Sequence, residues 1–432
     1  MLVNLIFRAH QPVRLREYTI FDIGLNSDYF DRKRTETAFR AACEDVYEPV
    51  AKCLLKILKA NPGFKASFSL SGTFIGMLES GNKNTLNSFK KLLKHERIEI
   101  VSQTFYNSVS ILSSRGEFED QLELNMKKAK SLFGKEPSFM LNTSRVYFND
   151  IPDSAKKAGI TGIITHGVEK LPENAEPNFL FKDKKTKSSI LFINKILSED
   201  VIKRFRDKRW DEWKINEKKL NSWLASKKGD IVSILIDLEK VACNQENEGN
   251  IIKFLTAIAK LGKFRESFVL PSEARKKLKP SRDIDVLFPV LIEDSPEKNN
   301  PLGYNTMQQS AVKKIYAIES HVKKSKDKEV LENWRLLLDS EHFSSMAVND
   351  ETESPFSKTN KLYESPYEAF IYYMNCLQDI RLRLINNGRK VKKNANSKKK
   401  NPKKSKSPKG DRTGEVLPRS RRNSNKKPDR PR

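Results

Sequence analysis

Short apolar runs alternate with amphipathic stretches through the first two-thirds of the chain. The apolar runs, such as LVNLIF, RIEIV and DIVSILIDL, are typical of buried strands. The stretches between them space their apolar residues at the period of an α-helix, as VAKCLLKILKA does. This alternation favours a parallel sheet covered by helices, and about seven such strands predict a closed or nearly closed β/α barrel.

Two departures from this alternation divide the chain. The segment FLFKDKKTKSSILFIN has the character of an antiparallel hairpin within the barrel region. Long helical patterns begin at residue 306, after a proline-containing stretch, KPSRDIDVLFPVLIED, that breaks the alternation. We therefore predict a barrel over residues 1–280 and a helical C-terminal subdomain over residues 281–387.

The excess of positive charge is concentrated at the C-terminal end. The chain carries 81 Lys and Arg against 55 Asp and Glu, a formal charge of +26. Residues 388–432 hold 19 basic and 3 acidic residues (+16), which leaves 62 and 52 (+10) for residues 1–387. This tail has almost nothing apolar to bury, so we expect it to be disordered. It can bind a polyanion such as RNA or an acidic protein, or it can be a solubilising appendage, and its composition favours neither role.

The remaining composition narrows the class of protein. No apolar run approaches the roughly 20 residues that span a bilayer. The opening MLVNLIF runs directly into RAHQP, which indicates a strand rather than a signal peptide. We therefore expect a cytoplasmic protein without a transmembrane segment. Four cysteines lack CxxC spacing and five histidines lack HxxxH spacing, so the sequence predicts no disulfide framework, no metal site and no cofactor.

Polar residues follow several of the predicted strands, where a β/α barrel places its functional residues. The candidates are His10, Gln11, Gln103, Tyr106, Asn107, Ser144, Arg145, Asp237 and Glu239. Amides and histidine can bind hydroxyl groups, an aromatic ring can cover a sugar face, and a carboxylate can do acid–base work. This set of side chains suits a sugar ligand.

The same residues also have simpler interpretations. His10 can be a strand-end histidine bonded to backbone, and Asp237 can cap the turn after its strand. Lys240 is close enough in sequence to neutralise Asp237 or Glu239. Ser144 has no histidine beside it, so a Ser-His-Asp triad is not indicated. The residues alone leave these alternatives open.

Five ordered blocks carry a resemblance to a known family. FRAHQPVRLREYTIFDIG, RIEIVSQTFYNSVSIL, EPSFMLNTSRVYFNDI, ILIDLEKVACNQENEG and LLLDSEHFSSM resemble the successive motifs of glycoside hydrolase family 57, α-amylase-like branch. YESPYEAFIYYMNCLQDI resembles a helical stretch near the end of that branch. The resemblance covers most of residues 1–387. It implies an irregular (β/α)7 barrel of the glycoside hydrolase/deacetylase type, a helical region that completes the site, and retaining chemistry on α-glucans or maltooligosaccharides.

The resemblance also implies that one catalytic residue is missing. Retaining chemistry uses two carboxyl groups about 5 to 5.5 Å apart, a nucleophile and an acid/base. Ser144 occupies the position where active members have the nucleophilic glutamate, and Asp237 occupies the acid/base position. Four other family positions also differ from the usual pattern: Gln103, Asn107, Asn244 and Glu341. Exchange of ionisable groups for neutral polar groups keeps hydrogen bonding to hydroxyls and discards charge chemistry.

Three hypotheses follow. In the first, the protein is inactive or strongly impaired but still binds glucan, with His342 in the cleft and Trp210 as a stacking platform or, equally, an ordinary anchor of its segment. In the second, it is an active hydrolase or transferase in which Asp237 works with a non-standard carboxylate such as Glu239 or Asp150. In the third, the barrel is a non-catalytic scaffold and the basic tail of residues 388–432 binds polyanions.

Overall fold

The strands and helices lie in residues 1–167, 177–202, 217–241, 251–260, 267–292, 301–348 and 363–399, which the computed structural model describes. The strands are β1 (Leu2–Ala9), β2 (Ala66–Leu70), β3 (Ile98–Val101), β4 (Phe139–Leu141), β5 (Val146–Tyr147), β6 (Gly162–His166), β7 (Leu180–Asp183), β8 (Ser189–Ile193), β9 (Ile231–Asp237), β10 (Asp283–Ile284) and β11 (Val290–Leu291). The helices are α1 (Arg32–Ala42), α2 (Glu48–Ala60), α3 (Gly72–Gly81), α4 (Lys83–Leu93), α5 (Arg115–Phe133), α6 (Asp150–Lys157), α7 (Lys195–Ile202), α8 (Glu217–Ser226), α9 (Ile251–Ala259), α10 (Pro271–Lys277), α11 (Thr306–Ala317), α12 (Glu319–Ser325), α13 (Lys328–Leu336), α14 (Ser340–Ser344) and α15 (Pro366–Lys399).

Among the described residues, seven parallel strands form a nearly closed barrel. β1 lies between β9 and β2, β2 pairs with β3, β4 pairs with β6, and β6 pairs with β8. Two short contacts complete the ring: a bridge between Ser102 and Met140 joins β3 to β4, and the pair Ile193 and Ser233 joins β8 to β9. The prediction of a β/α barrel with about seven strands is confirmed.

The barrel strands are buried along their length because helices cover the outside of the sheet. Every residue of β2, β8 and β9 is buried. Apolar side chains of α2, α4 and α9 share one core cluster with side chains of β1 and β2. The strands therefore read as near-continuous apolar runs, and polar side chains gather where the strands end.

The segment with hairpin character forms an antiparallel pair, β7 with β8, as the sequence predicts. β10 extends this edge of the sheet by pairing with β7, and β11 pairs with β5. Residues 283–291 therefore contact the barrel edge, although the sequence analysis assigns them to the helical subdomain. The prolines in this stretch interrupt the alternating pattern without ending the strand pairing.

The helical region has its own apolar core, to which the loop after β1 contributes. Trp334 and Tyr373 belong to the same cluster as Tyr18 and Tyr29. The Tyr29 hydroxyl donates to the buried carboxylate of Asp379 at 2.5 Å. Residues Met1–Asn386 form one compact unit, since this loop ties the start of the barrel to the last helix.

A buried carboxylate joins α5 of the barrel to the helical region. Glu117 is fully buried and accepts hydrogen bonds from Arg335 Nε and Nη2 at 2.8 and 3.1 Å. Lys323 Nζ lies 2.9 Å from Glu117 Oε2. Two cations therefore neutralise one buried acid, which makes removal of either side of the pair costly.

The last helix extends past the boundary that composition predicts. The helical backbone of α15 continues to Lys399, whereas the sequence analysis places disorder from residue 388 onward. Lys and Arg are good helix formers, so high charge and few apolar residues do not by themselves end a helix. Residues 400–432 lie outside the described residues. None of the described helices is both long and apolar enough to cross a membrane.

Candidate active site

A cleft lies at the C-terminal ends of the barrel strands. It holds about 1290 Å³ of empty space, including its open mouth. Its polar lining residues are Arg8, Asn107, Asn142, Thr143, Arg145, His166, Ser198, Glu199, Asp237, Glu239, Lys240, Ser340 and Glu341, and Tyr304 adds an aromatic ring. Amides, cations and carboxylates thus share one space, an arrangement that can bind hydroxyl groups and support acid–base chemistry.

Asp237 ends β9 and forms a buried ion pair with Arg8. The two residues are register neighbours in the parallel pair of β1 and β9. Arg8 Nη1 donates to Asp237 Oδ2 at 2.7 Å, and Lys240 Nζ lies 3.9 Å from the same oxygen. Burial opposes ionisation of Asp237, but the charges of Arg8 and Lys240 outweigh it and lower the pKa of the carboxyl group. Asp237 is therefore a carboxylate at neutral pH.

Arg8 begins a chain of polar contacts that leads into the interior. Arg8 Nη2 donates to Asn107 Oδ1 at 3.0 Å, and Asn107 Nδ2 donates to Asp339 Oδ1 at 3.2 Å. Asp339 Oδ2 lies 3.1 Å from His10 Nε2, and His10 Nδ1 lies 2.9 Å from Ser71 Oγ. Burial opposes a charge on His10, but Asp339 outweighs it and raises the pKa of the imidazole. The chain links three strand ends to the helical region.

Glu239 lies two residues after Asp237 and favours the opposite protonation state. Burial, together with the negative charge of Asp237, raises the pKa of Glu239 to about 8 against the opposing charge of His10. The Oε1 atom of Glu239 has no hydrogen-bond partner among the described residues. The two carboxyl groups of this turn are therefore set apart, with a lowered pKa at Asp237 and a raised pKa at Glu239.

The Ser144 hydroxyl is bonded to protein rather than presented to the cleft. It is buried, donates to Asn142 Oδ1 at 2.6 Å, and lies 3.2 Å from the carbonyl oxygen of Val146. The flanking residues Thr143 and Arg145 line the cleft, and Arg145 has a left-handed φ of 63°. Thr143 and Arg145 therefore face the cleft, whereas the Ser144 hydroxyl faces the protein interior.

The structure separates the predicted site residues into two groups. One group lines the cleft: Asn107, Arg145, Asp237, Glu239 and Glu341. The other group is buried and does not belong to the described lining: His10, Gln11, Gln103, Tyr106, Ser144 and His342. Trp210 and Asn244 lie outside the described residues.

Three of the buried residues have distinct environments. Gln11 Oε1 accepts a hydrogen bond from Tyr47 Oη at 3.2 Å, and Tyr106 Oη donates to Glu332 Oε2 at 2.8 Å. Gln103 is fully buried, and neither atom of its side-chain amide has a partner among the described residues. Tyr106 thus contacts the helical region, and Gln103 is an unusually unsatisfied amide for a protein interior.

Sequence reasoning missed Arg8, Asp339 and Tyr304. Arg8 lies two positions before His10, and residues two apart on a strand point to the same face, so this spacing was an available signal. Asp339 stands within the block LLLDSEHF, but its contact with His10 joins distant parts of the chain. Tyr304 has no local signal, because its place in the cleft depends on tertiary packing.

Comparison with known proteins gives one family. The model of glycosyl hydrolase family 57 matches residues 4–286. A Methanocaldococcus jannaschii protein named "Putative alpha-amylase" is 26% identical over 397 residues, which cover 88% of this chain and 84% of that protein.

Two solved structures show the same fold. A family 57 branching enzyme from Thermococcus kodakaraensis superposes with a TM-score of 0.62 at 10% identity, over 89% of this chain and 90% of that one. A 4-α-glucanotransferase from Thermococcus litoralis gives a TM-score of 0.52 at 17% identity, over 87% of this chain and 55% of that one. The chain thus spans just over half the length of the transferase.

The fold and the cleft together define a class, a glycosidase-type β/α barrel with carboxylates where its strands end. The family match covers well over half of the chain. The chain belongs to glycosyl hydrolase family 57. The resemblance carried by the five sequence blocks is confirmed.

Proposed function

We propose that this protein binds α-glucans or maltooligosaccharides in the cleft and has lost, wholly or nearly so, the retaining hydrolysis of its family. The names of its relatives, an α-amylase, a branching enzyme and a 4-α-glucanotransferase, support an α-glucan ligand and a place in carbohydrate metabolism. The observation that carries the loss is at position 144, where a buried serine hydroxyl is bonded to Asn142.

A serine cannot replace the missing glutamate without further help. Its hydroxyl is a weak nucleophile unless a neighbouring base activates it, and Ser144 instead donates to an amide oxygen. It also brings no negative charge to stabilise an oxocarbenium-like transition state. Residues that act as a catalytic unit lose most of their effect when one is removed, so the rate should fall by several orders of magnitude.

The test is to assay hydrolysis and disproportionation of a maltooligosaccharide series by the wild type, Ser144→Ala and Ser144→Glu. We expect no turnover by the wild type or by Ser144→Ala, because neither has a nucleophile. Calorimetric titration of the wild type with the same oligosaccharides should show binding, because the amides and carboxylates that line the cleft remain. Wild-type turnover that Asp237→Asn abolishes would overturn the proposal.

A second candidate function is hydrolysis or transfer by a non-standard carboxylate pair. Its support is that Asp237 and Glu239 share the cleft while their pKa values lie on opposite sides of neutrality, the pattern of an acid and its partner. Asp150, the other carboxylate considered, pairs with Arg115 at 3.5 Å and is not among the described lining residues. In this reaction Glu239 would protonate the leaving oxygen and Asp237 would act as nucleophile or base.

Product stereochemistry tests the second candidate. If the wild type turns over glucans, Glu239→Gln should remove most of the activity. Proton NMR of the first product then distinguishes the two paths, since inversion requires a water between carboxyl groups about 6.5 to 9.5 Å apart and retention requires direct attack. Activity that survives in Glu239→Gln would exclude Glu239 as the proton donor.

The basic tail supports a separate proposal, that residues 388–432 bind polyanions such as RNA or acidic proteins. The support is a charge of +16 in this segment. Attraction of this kind depends on counterion release and weakens steeply with salt. Polyanion binding by the tail would not involve the cleft.

A further inference from the structure

Arg8 and Asp237 form a short ion pair in the cleft, and both side chains are shielded from water. Their side chains are 11% and 6% exposed, and the Nη1 to Oδ2 distance is 2.7 Å. The register of β1 and β9 places their backbones side by side, so the pairing is built into the sheet. Screening by solvent is small for such a pair, unlike an ion pair on the surface.

Arg8 is also fixed from its other side. Asn107 Oδ1 accepts from Arg8 Nη2, while Asn107 Nδ2 donates to Asp339 Oδ1 and to Ser340 Oγ at 3.2 and 3.0 Å. Asn107 has a left-handed φ of 53°, a conformation that is sparsely populated for residues other than glycine. The guanidinium therefore cannot turn away from Asp237 without breaking its hydrogen bond to Asn107, which the helical region holds in place.

The other charged groups that face Asp237 do not reverse this pairing. Lys240 is a second cation, 3.9 Å from Oδ2, and the backbone N–H of Glu239 donates to Oδ1 at 3.3 Å. The Glu239 side chain is the acid nearest in sequence, and Glu341 lines the same cleft. Cations and donors thus surround the carboxylate oxygens of Asp237.

We propose that Arg8 is a positioning residue that holds Asp237 as a fixed carboxylate and so prevents it from donating a proton to a glycosidic oxygen. The inference rests on the proposed loss of hydrolysis and extends it. The site then carries two separate blocks, the serine at position 144 and the arginine at position 8. Restoring the nucleophile alone would leave the acid disabled.

The chemistry of the leaving group separates the two blocks. When a carboxylate attacks the anomeric carbon of a glucan, the glycosidic C–O bond breaks and the leaving oxygen must take a proton, which a protonated Asp237 would give. When the same carboxylate attacks an α-maltosyl fluoride, the C–F bond breaks and fluoride leaves with the electron pair, so no proton is needed. Fluoride release therefore tests the nucleophile, and glucan hydrolysis tests the nucleophile and the acid together.

The experiment compares Ser144→Glu, Ser144→Glu with Arg8→Gln, and Ser144→Glu with Arg115→Gln. We expect Ser144→Glu to release fluoride from α-maltosyl fluoride but not to hydrolyse maltooligosaccharides. Adding Arg8→Gln should raise kcat/KM on maltooligosaccharides by about 100-fold or more, the usual contribution of a positioned acid, and change fluoride release little. Arg115→Gln removes a partly exposed guanidinium that lies 3.2 Å from Glu119 and outside the cleft, and it should raise neither rate.

Failure of this inference differs from failure of the proposed function. If Ser144→Glu alone hydrolyses maltooligosaccharides, the proposed role of Arg8 is wrong. The proposed role of position 144 would then stand. Release of fluoride without gain on glucans in the Arg8→Gln double variant would also overturn the role of Arg8. If no variant releases fluoride, a glutamate at position 144 is not the nucleophile of this cleft. Carboxyl ¹³C NMR of wild type and Arg8→Gln then decides the role of Arg8, because an unchanged titration of Asp237 would overturn the inference.

Discussion

Two acids in one turn of this protein are set to opposite states by their neighbours. Asp237 contacts Arg8 and stays ionised, whereas Glu239, two residues later, is half-buried near that carboxylate and has a pKa raised to about 8. Residue type alone does not give this difference, because it comes from burial and from the sign of the adjacent charge.

The stability of the folded protein should depend on pH through Glu239. The pKa of Glu239 is about 8 in the folded state against an ordinary value of 4.5, so the unfolded chain releases this proton first. The free energy of unfolding should therefore fall as pH rises between these values. The expected fall is about 4 kcal/mol between pH 5 and pH 9, and Glu239→Gln should remove it, as measured by urea unfolding.

The matched control is Glu341→Gln, which removes a carboxylate from the same cleft and leaves Glu239 in place. The fall in stability with pH should persist in this variant but be smaller, because the charge of Glu341 contributes to the raised pKa of Glu239. An identical pH dependence in wild type and Glu239→Gln would show that Glu239 is ionised in the folded protein.

The sequence predicts part of this site and misses part of it, for physical reasons. Asp237, Glu239 and Asn107 were found because parallel strands end at one edge, so strand-end polar residues converge. Arg8 was missed because a charge inside an apolar strand is easily assigned to solvent. Asp339 was missed because its partners His10 and Asn107 are distant in sequence, and no local pattern reports such a contact.

The strand–helix alternation predicted the strands and helices of the barrel. The features that it did not predict are contacts made by loops and strand ends. Periodicity reports local burial, so it gives β9, α5 and the hairpin of β7 and β8 directly. It does not report that β3 and β4 meet only through a bridge at Ser102, or that the loop after β1 packs into the helical core. These features depend on tertiary contacts that no single segment encodes.

The start of α3 supports the interior contact of His10. Ser71 precedes the helix, accepts from Phe74 N at 3.2 Å, and also contacts His10. A Cβ at Gly72 would lie 2.2 Å from ring atoms of Phe105, so the ring must move. Gly72→Ala should therefore lower the free energy of unfolding by about 2 kcal/mol.

The control lies on the same helix. A Cβ at Gly76 would meet nothing within 4 Å, and alanine is the better helix former by up to about 1 kcal/mol. Gly76→Ala should leave stability unchanged or raise it, measured by the same urea titration. Equal losses in the two variants would mean that contact with Phe105 does not decide the effect.

At the scale of the whole molecule, apolar burial and charge occupy different parts of the chain. Residues Met1–Asn386 form the compact unit, and Glu117 with Arg335 and Lys323 secures its helical region to the barrel. The tail contributes most of the excess charge. Net charge therefore says little about this fold and more about association with polyanions.

Deletion of residues 388–432 tests that separation. The last buried side chain of α15 among the described residues is Ile380, so the truncated chain should keep its melting temperature and its affinity for maltooligosaccharides. Its retention on a heparin column, and any binding to RNA at low salt, should fall sharply because the +16 segment is gone. Unchanged retention would assign polyanion binding to the compact unit or exclude it.

The contact of Asp339 with His10 and Asn107 has a consequence for synthesis of the protein. His10 and Asn107, in the loops after β1 and β3, leave the ribosome well before Asp339, and chains begin to fold from their N-terminal end. Until residue 339 emerges, these two side chains lack their acidic partner and Arg8 lacks its fixed support. Under the proposed function, a glucan stabilises only a state that binds it, so it would not assist the nascent barrel until almost the entire body has been translated.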